Sequence, residues 1–169
     1  MDKPNLPEPW LRATLTDVPP VQRAVLHALE LAKEDLTRWC GDLTDAQLNA
    51  RPADLAPIAF HMRHIWRATD RLLTYAEGNP LTPEHISAMK SELTPDATRD
   101  QLFAELNESL DKAAARIRAF SPETLNQPRT VGRQQMPTTV AGLVVHVADH
   151  AQRHVGQAIS TAKIVTRSL

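Results

Sequence analysis

The sequence predicts an all-α fold, a four-helix bundle whose helices are joined by long proline-containing connections. Three observations carry that expectation. Four long segments repeat apolar residues at spacings of three and four. Helix-capping patterns and prolines punctuate the chain between and at the starts of these segments. Only five glycines occur, and no stretch alternates apolar and polar residues well enough to suggest a sheet.

The first long segment spans about 20–41, with Val21, Val25, Leu29, Ala32 and Leu36 on one stripe. Thr44-Asp45-Ala46-Gln47 then matches a capping box and predicts a short turn of helix, ended by Arg51-Pro52. The second long segment, about 57–77, has proline in its first turn and stops at Gly78-Asn79-Pro80. A second capping box, Thr98 to Gln101, opens the third. It continues through Leu102, Leu106, Leu110, Ala113, Ala114 and Ile117 to Ser121-Pro122-Glu123. The fourth covers roughly 138–165, and the stretches at about 79–97 and 121–137 read as long connections. No repeat, low-complexity tract or linker divides the chain, so residues 1–169 read as one domain with a proline-rich extension at 1–18. Four amphipathic helices bury their stripes best against one another.

Composition excludes several partners. The 169 residues are 42% hydrophobic and 23% charged, with a net charge of -1. Lys and Arg are scattered, so no basic stripe is available to neutralise phosphates and nucleic acid is not an expected partner. No apolar run approaches the ~18 residues that span a bilayer. The opening MDKPNLPEPWLRATLTDVPP is polar and proline-rich, unlike the apolar centre of a signal peptide. The single cysteine, Cys40, cannot form an internal disulfide and fits a reducing cytoplasm, the expected location. Its place near the end of an apolar-periodic segment predicts a buried, inert thiol.

The chemistry concentrates on histidine. His146, His150 and His154 follow one another at four-residue intervals and form a ladder along one side of the fourth helix. The apolar stripe of that helix is Val140, Leu143, Val144, Val147, Ala151, Val155, Ala158 and Ala162. Counting ~100° per residue puts His146 roughly 110° from its centre, His150 about 75° and His154 about 35°. His150 and His154 are therefore the inner pair. Imidazoles at i and i+4 can converge on one ion, as in helical zinc sites. Position 151 is Ala rather than Glu, so the HExxH protease motif is absent. The second long helix adds His61 and His64, set among Ile58, Met62, Ile65 and Trp66, with Arg63, Arg67, Asp70, Arg71 and Thr74 on its polar face. Angular counting places His61 nearer the apolar centre than His64. His27 and His85 stand apart and read as surface residues.

Three stretches carry a resemblance: LTDAQLNARP at 43–52, HIWRATDRLLTYAEG at 64–78 and HAQRHVGQ at 150–157. Over about 18–165 the chain resembles the DinB-like superfamily of metal-binding four-helix bundles, which includes thiol-dependent transferases and isomerases. HAQRHVGQ matches its His-x-x-x-His-x-Gly-Gln signature at every fixed position. The resemblance implies His64, His150 and His154 as the metal ligands, with His61 a neighbour in the pocket. It also implies a homodimer and a small-molecule substrate such as a low-molecular-weight thiol.

Three neutral imidazoles suit a divalent ion such as Zn²⁺ or Ni²⁺ and leave coordination positions open. The function expected first is a metal-dependent transferase in which the ion activates a thiolate. The alternatives are a hydrolase using metal-activated water, and a non-catalytic stress-associated or dimerisation module with a structural ion. Gln157 and Asp70 are candidate acceptors for the ligands' second nitrogens. Gly156 is expected to allow close helix contact. Arg153 reads as a solvated charge or an anchor for an anionic substrate. Tyr75 reads as a core-edge residue or one with its hydroxyl near the pocket. No general base is nameable.

Overall fold

A computed structural model describes residues 6–92 and 97–167. The described residues form α1 (Pro20–Cys40), α2 (Asp45–Asn49), α3 (Ile58–Ala76), α4 (Pro83–Lys90), α5 (Arg99–Ala119) and α6 (Val140–Val165). A two-stranded hairpin, β1 (Pro128–Val131) paired antiparallel with β2 (Met136–Thr139), precedes α6. The all-α expectation holds, with α1, α3, α5 and α6 as the four long rods. Among the described residues no helix is long and apolar enough to cross a membrane.

The caps act where the sequence places them. Thr44 and Thr98 each accept from the backbone N–H three residues on, and Gln47 and Gln101 reciprocate. Helix α3 ends in a Schellman turn: Gly78, at φ +84°, donates to the Tyr75 carbonyl and Asn79 to that of Thr74. Arg129 of β1 donates to the Ala76 carbonyl at 2.7 Å, satisfying another carbonyl at the same helix end.

Side-chain pairings fix the helix directions. His64 meets His150 and His61 meets His154, so α3 and α6 are antiparallel. Gln152 reaches the Ala28 carbonyl and Lys163 lies over Trp39, so α1 and α6 are parallel. Arg63 pairs with Glu105 and Glu77 with Arg116, so α3 and α5 are parallel neighbours. A parallel pair requires a connection that returns along the whole bundle. The segment carrying α4 does this, running antiparallel along α3 with His85 on Asp70 and Arg67 on the Ala88 carbonyl.

The core is apolar and close to the predicted stripes. All eight stripe residues of α6 are buried, as are Leu29, Leu36, Met62, Ile65, Leu102, Leu106 and Ile117. Cys40 is buried too, and desolvation pushes its thiol up to about 12, so it is inert at neutral pH.

Three expectations are corrected. The connection at 79–97 contains α4, opened by Thr82 and His85 acting as a capping pair in which an imidazole replaces the usual Gln or Glu. The connection at 121–137 contains the hairpin. Prolines 128 and 137 hid it, yet both strands of a two-stranded ribbon are edges, where a missing N–H is tolerated. His27 is buried, not on the surface, because the segment before α1 folds over it. Its Nε2 lies 3.0 Å from Thr14 Oγ1, while Arg12 forks onto Glu34 at 2.6 and 2.7 Å.

Two substitutions test this assembly by urea denaturation. Leu106→Ala, at a fully buried site, is expected to cost about 2–5 kcal/mol. Thr98→Ala, which removes a cap, is expected to cost about 1 kcal/mol.

Candidate metal centre

Antiparallel packing matches the edges of the α3 and α6 stripes residue for residue. His64 and His150 bring their Nε2 atoms to 3.2 Å. One nitrogen each from His64, His150 and His154 falls within 4.8 Å of the other two. The rings crowd together, His64 lying 4.5 Å from His154 and 4.9 Å from His150 between centroids. His146 is the outermost of the ladder, exposed and paired with Asp149 at 3.3 Å.

The order along α3 also assigns different places to His61 and His64. His61 is buried, with its Nδ1 3.1 Å from Nδ1 of His154, one layer beyond the three-way cluster. His64 stands at the seam between the helices. The residue nearest the stripe centre is thus a supporting neighbour, and the seam residue reaches the common point.

The His64 ring is held from behind. His64 Nδ1 lies 2.7 Å from Glu92 Oε2, and Arg71 donates to the other Glu92 oxygen at 2.7 Å. A carboxylate accepts, so the proton of neutral His64 sits on Nδ1 and its Nε2 presents a lone pair to the cluster. Glu92 is 4% exposed. Burial works to raise its pKa, but the hydrogen bonds and charges of His64 and Arg71 outweigh that and hold it below the usual carboxylate range. Phe60 stacks on His64 with ring centroids 5.2 Å apart.

Burial and neighbouring charges disfavour the charged form of three of these rings. Desolvation, then the neighbouring His154 and His64, lower His61 to about 4. Desolvation and the adjacent histidines likewise lower His150 to about 4. Desolvation, His64 and Arg153 lower His154. Neutral imidazole is the form that binds metal.

The donor set fits a divalent ion. Two nitrogens bound at ~2.1 Å in a tetrahedral site stand roughly 3.4 Å apart, close to the His64–His150 separation. Three imidazoles, with a carboxylate behind one of them, reproduce the donor chemistry of open zinc sites. Among the described residues this is the one such group of His, Cys, Asp or Glu side chains.

The remaining sequence candidates fall elsewhere. Asp70 is bonded to His85 and Arg116, and Gln157 is exposed, so Glu92 takes the role considered for them. Tyr75 lines a groove with Gly78 and Arg129 at the other end of α3. Gly156 faces open space, with nothing within 4 Å of an added Cβ, so it serves no helix contact. His85 is mostly covered, on α4. Glu92 was missed because it lies in a loop 28 positions from His64, with no periodicity to mark it.

A family model described as the DinB superfamily matches residues 28–158. Among solved structures, the crystal structure of a conserved protein from Enterococcus faecalis superposes with a TM-score of 0.73 at 19% identity. It covers 88% of this chain and 98% of that one. This likeness is one of fold. No curated protein gives a significant match.

Two predictions follow from the geometry. In elemental analysis after Zn²⁺ loading, His154→Ala is expected to abolish bound metal and His146→Ala to spare it. Glu92→Gln, nearly isosteric, is expected to weaken binding about 10–100-fold. The second concerns metal-free stability. His61 titrates near 6.5 when unfolded and about 4 when folded, so the unfolded chain binds more protons between those values. The contribution of His61 to stability is therefore full above pH 6.5 and is lost as pH falls towards 4. Urea midpoints from pH 7.5 downward are expected to fall less steeply in His61→Gln, by about one proton's worth of slope.

Proposed function

We propose that this chain, which belongs to the DinB superfamily, holds one divalent ion on His64, His150 and His154 and acts as a thiol-dependent transferase. The observation that carries the reading is the donor set: three imidazoles converging from two helices, with no carboxylate among them. Zn²⁺ and Ni²⁺ are the ions that best suit it. When bound, such an ion supplies a Lewis-acid centre able to make a thiol nucleophilic at neutral pH.

The chain's own residues supply position rather than proton transfer. Glu92 fixes the His64 ring, Arg71 holds Glu92, and His61 holds His154 from the opposite side. Hydrolysis by activated water ordinarily enlists a carboxylate base beside the metal. Here Glu92, the acid bonded to the cluster, has one oxygen on Arg71 and the other on His64. A thiol, already acidic enough to release its proton to solvent, makes no such demand. That difference favours the transferase over the hydrolase. A homodimer, implied by the resemblance, and a cytoplasmic location, expected from the single cysteine, complete the reading.

Metal-stripped protein reconstituted with Zn²⁺ or Ni²⁺ tests it, assayed in parallel for thiol transfer to an activated alkyl halide and for ester hydrolysis. The expected outcome is thiol transfer that requires added metal and disappears in His154→Ala. Metal-dependent ester hydrolysis without thiol transfer would replace this reading with the hydrolytic one.

A further inference from the structure

One turn along α6 from His154, a cavity of about 370 Å³ opens between α6 and the chain entering α3. Arg153, Gly156, Gln157 and Ser160 line it from α6, Leu55 and Ala56 from the facing loop, and His61 at its inner end. His61 is the ring that touches His154, so the cavity abuts the histidine cluster.

Gly156 is the least expected residue of this wall. Glycine inside a helix is unfavourable relative to alanine, because the unfolded chain loses more freedom on folding. Packing gives no reason for it, since an added Cβ would touch nothing within 4 Å. Its φ lies outside the left-handed region, so backbone geometry gives none either. What the missing side chain leaves is space, in the wall of this cavity. Around that space stand one cation and several hydrogen-bonding groups. Arg153 is 57% exposed, and the contact it makes is through one guanidinium nitrogen to Asp149 at 2.8 Å. A guanidinium has five donors in a fixed fork, so the pairing leaves most of them unused. Gln157 is exposed, and Ser160 donates to the Gly156 carbonyl, leaving its oxygen free to accept. Leu55 and Ala56 give the opposite side an apolar surface.

We infer that this cavity binds a small organic carboxylate, with Arg153 pairing the carboxylate and the Gly156 gap admitting the molecule's body. The cavity's position beside His61 and His154 makes it the binding site for the part of a substrate that does not react. This use rests on the metal reading above; the carboxylate binding itself does not.

The test uses two matched pairs, N-acetylcysteine with its amide and N-acetylalanine with its amide, titrated calorimetrically into the Zn²⁺-loaded and the metal-free full chain. Each acid is expected to bind about tenfold tighter than its amide. Arg153→Gln should remove that preference, and Asp149→Asn, which frees the guanidinium, should enlarge it. Gly156→Leu should weaken all four probes while leaving the melting temperature equal or higher and the zinc stoichiometry unchanged. The alanine pair has no sulfur, so its acid preference, present with or without zinc, reports on the cavity even where the metal reading fails. Equal binding of acid and amide, a preference that survives Arg153→Gln, unaltered binding in Gly156→Leu, or no binding of either acid at millimolar concentration would each overturn the inference.

Discussion

Because α3 and α6 run antiparallel, each step towards the N-terminus of one helix meets a step towards the C-terminus of the other. Burial of Met62, Ile65 and Trp66 against Val147, Ala151 and Val155 fixes that register. A shift of one turn, about 5.4 Å, would separate rings that now stand 3.2 Å apart. The histidines do not hold the helices together; the apolar stripes do, and the imidazoles ride on their edges. Bringing three imidazoles to one point in a partly desolvated seam has a cost, because their polar nitrogens give up water. Burial and mutual proximity also disfavour the charged form, which depresses the pKa of His61, His150 and His154 together. A cation at the common point would turn the same arrangement from unfavourable to favourable.

The topology supplies what the two helices lack. Parallel α3 and α5 oblige the chain to travel back along the bundle, and the return path passes over the outer edge of α3. It ends where Glu92 meets His64 and Arg71. The acid is covered, and its two cationic or proton-bearing partners are what make its burial tolerable. Helix α4 itself buries no residue, and its attachment to α3 is polar, through His85, the Ala88 carbonyl and Ser91. The second layer of the site therefore depends on a lightly attached segment, while the first layer depends on the core.

Much of this was legible in the sequence. The four long helices followed from spacing and caps, because apolar stripes with Thr-x-x-Gln boxes leave few alternatives. The inner pair His150 and His154 followed from angle alone, and so did the exposure of His146. Choosing His64 over His61 did not. Angular counting measures depth in a stripe, whereas meeting a neighbour at a seam depends on register, which no single helix encodes. Resemblance pointed to His64, and the structure brings it to the common point. Glu92, α4 and the hairpin were illegible for a shared reason. Each is placed by long-range topology or short polar contacts, neither of which leaves a periodic trace. His27 looked like a surface residue because the segment that covers it, residues 6–19, has no apolar pattern of its own and is pinned by Arg12.

X-ray absorption on untagged protein loaded with Zn²⁺ bears most directly on three imidazoles from two helices sharing one ion. The account predicts one zinc per chain with about three imidazole nitrogens near 2.0 Å, falling to two in His64→Ala. A zinc shell made only of oxygen, or an imidazole count left unchanged by His64→Ala, would contradict it.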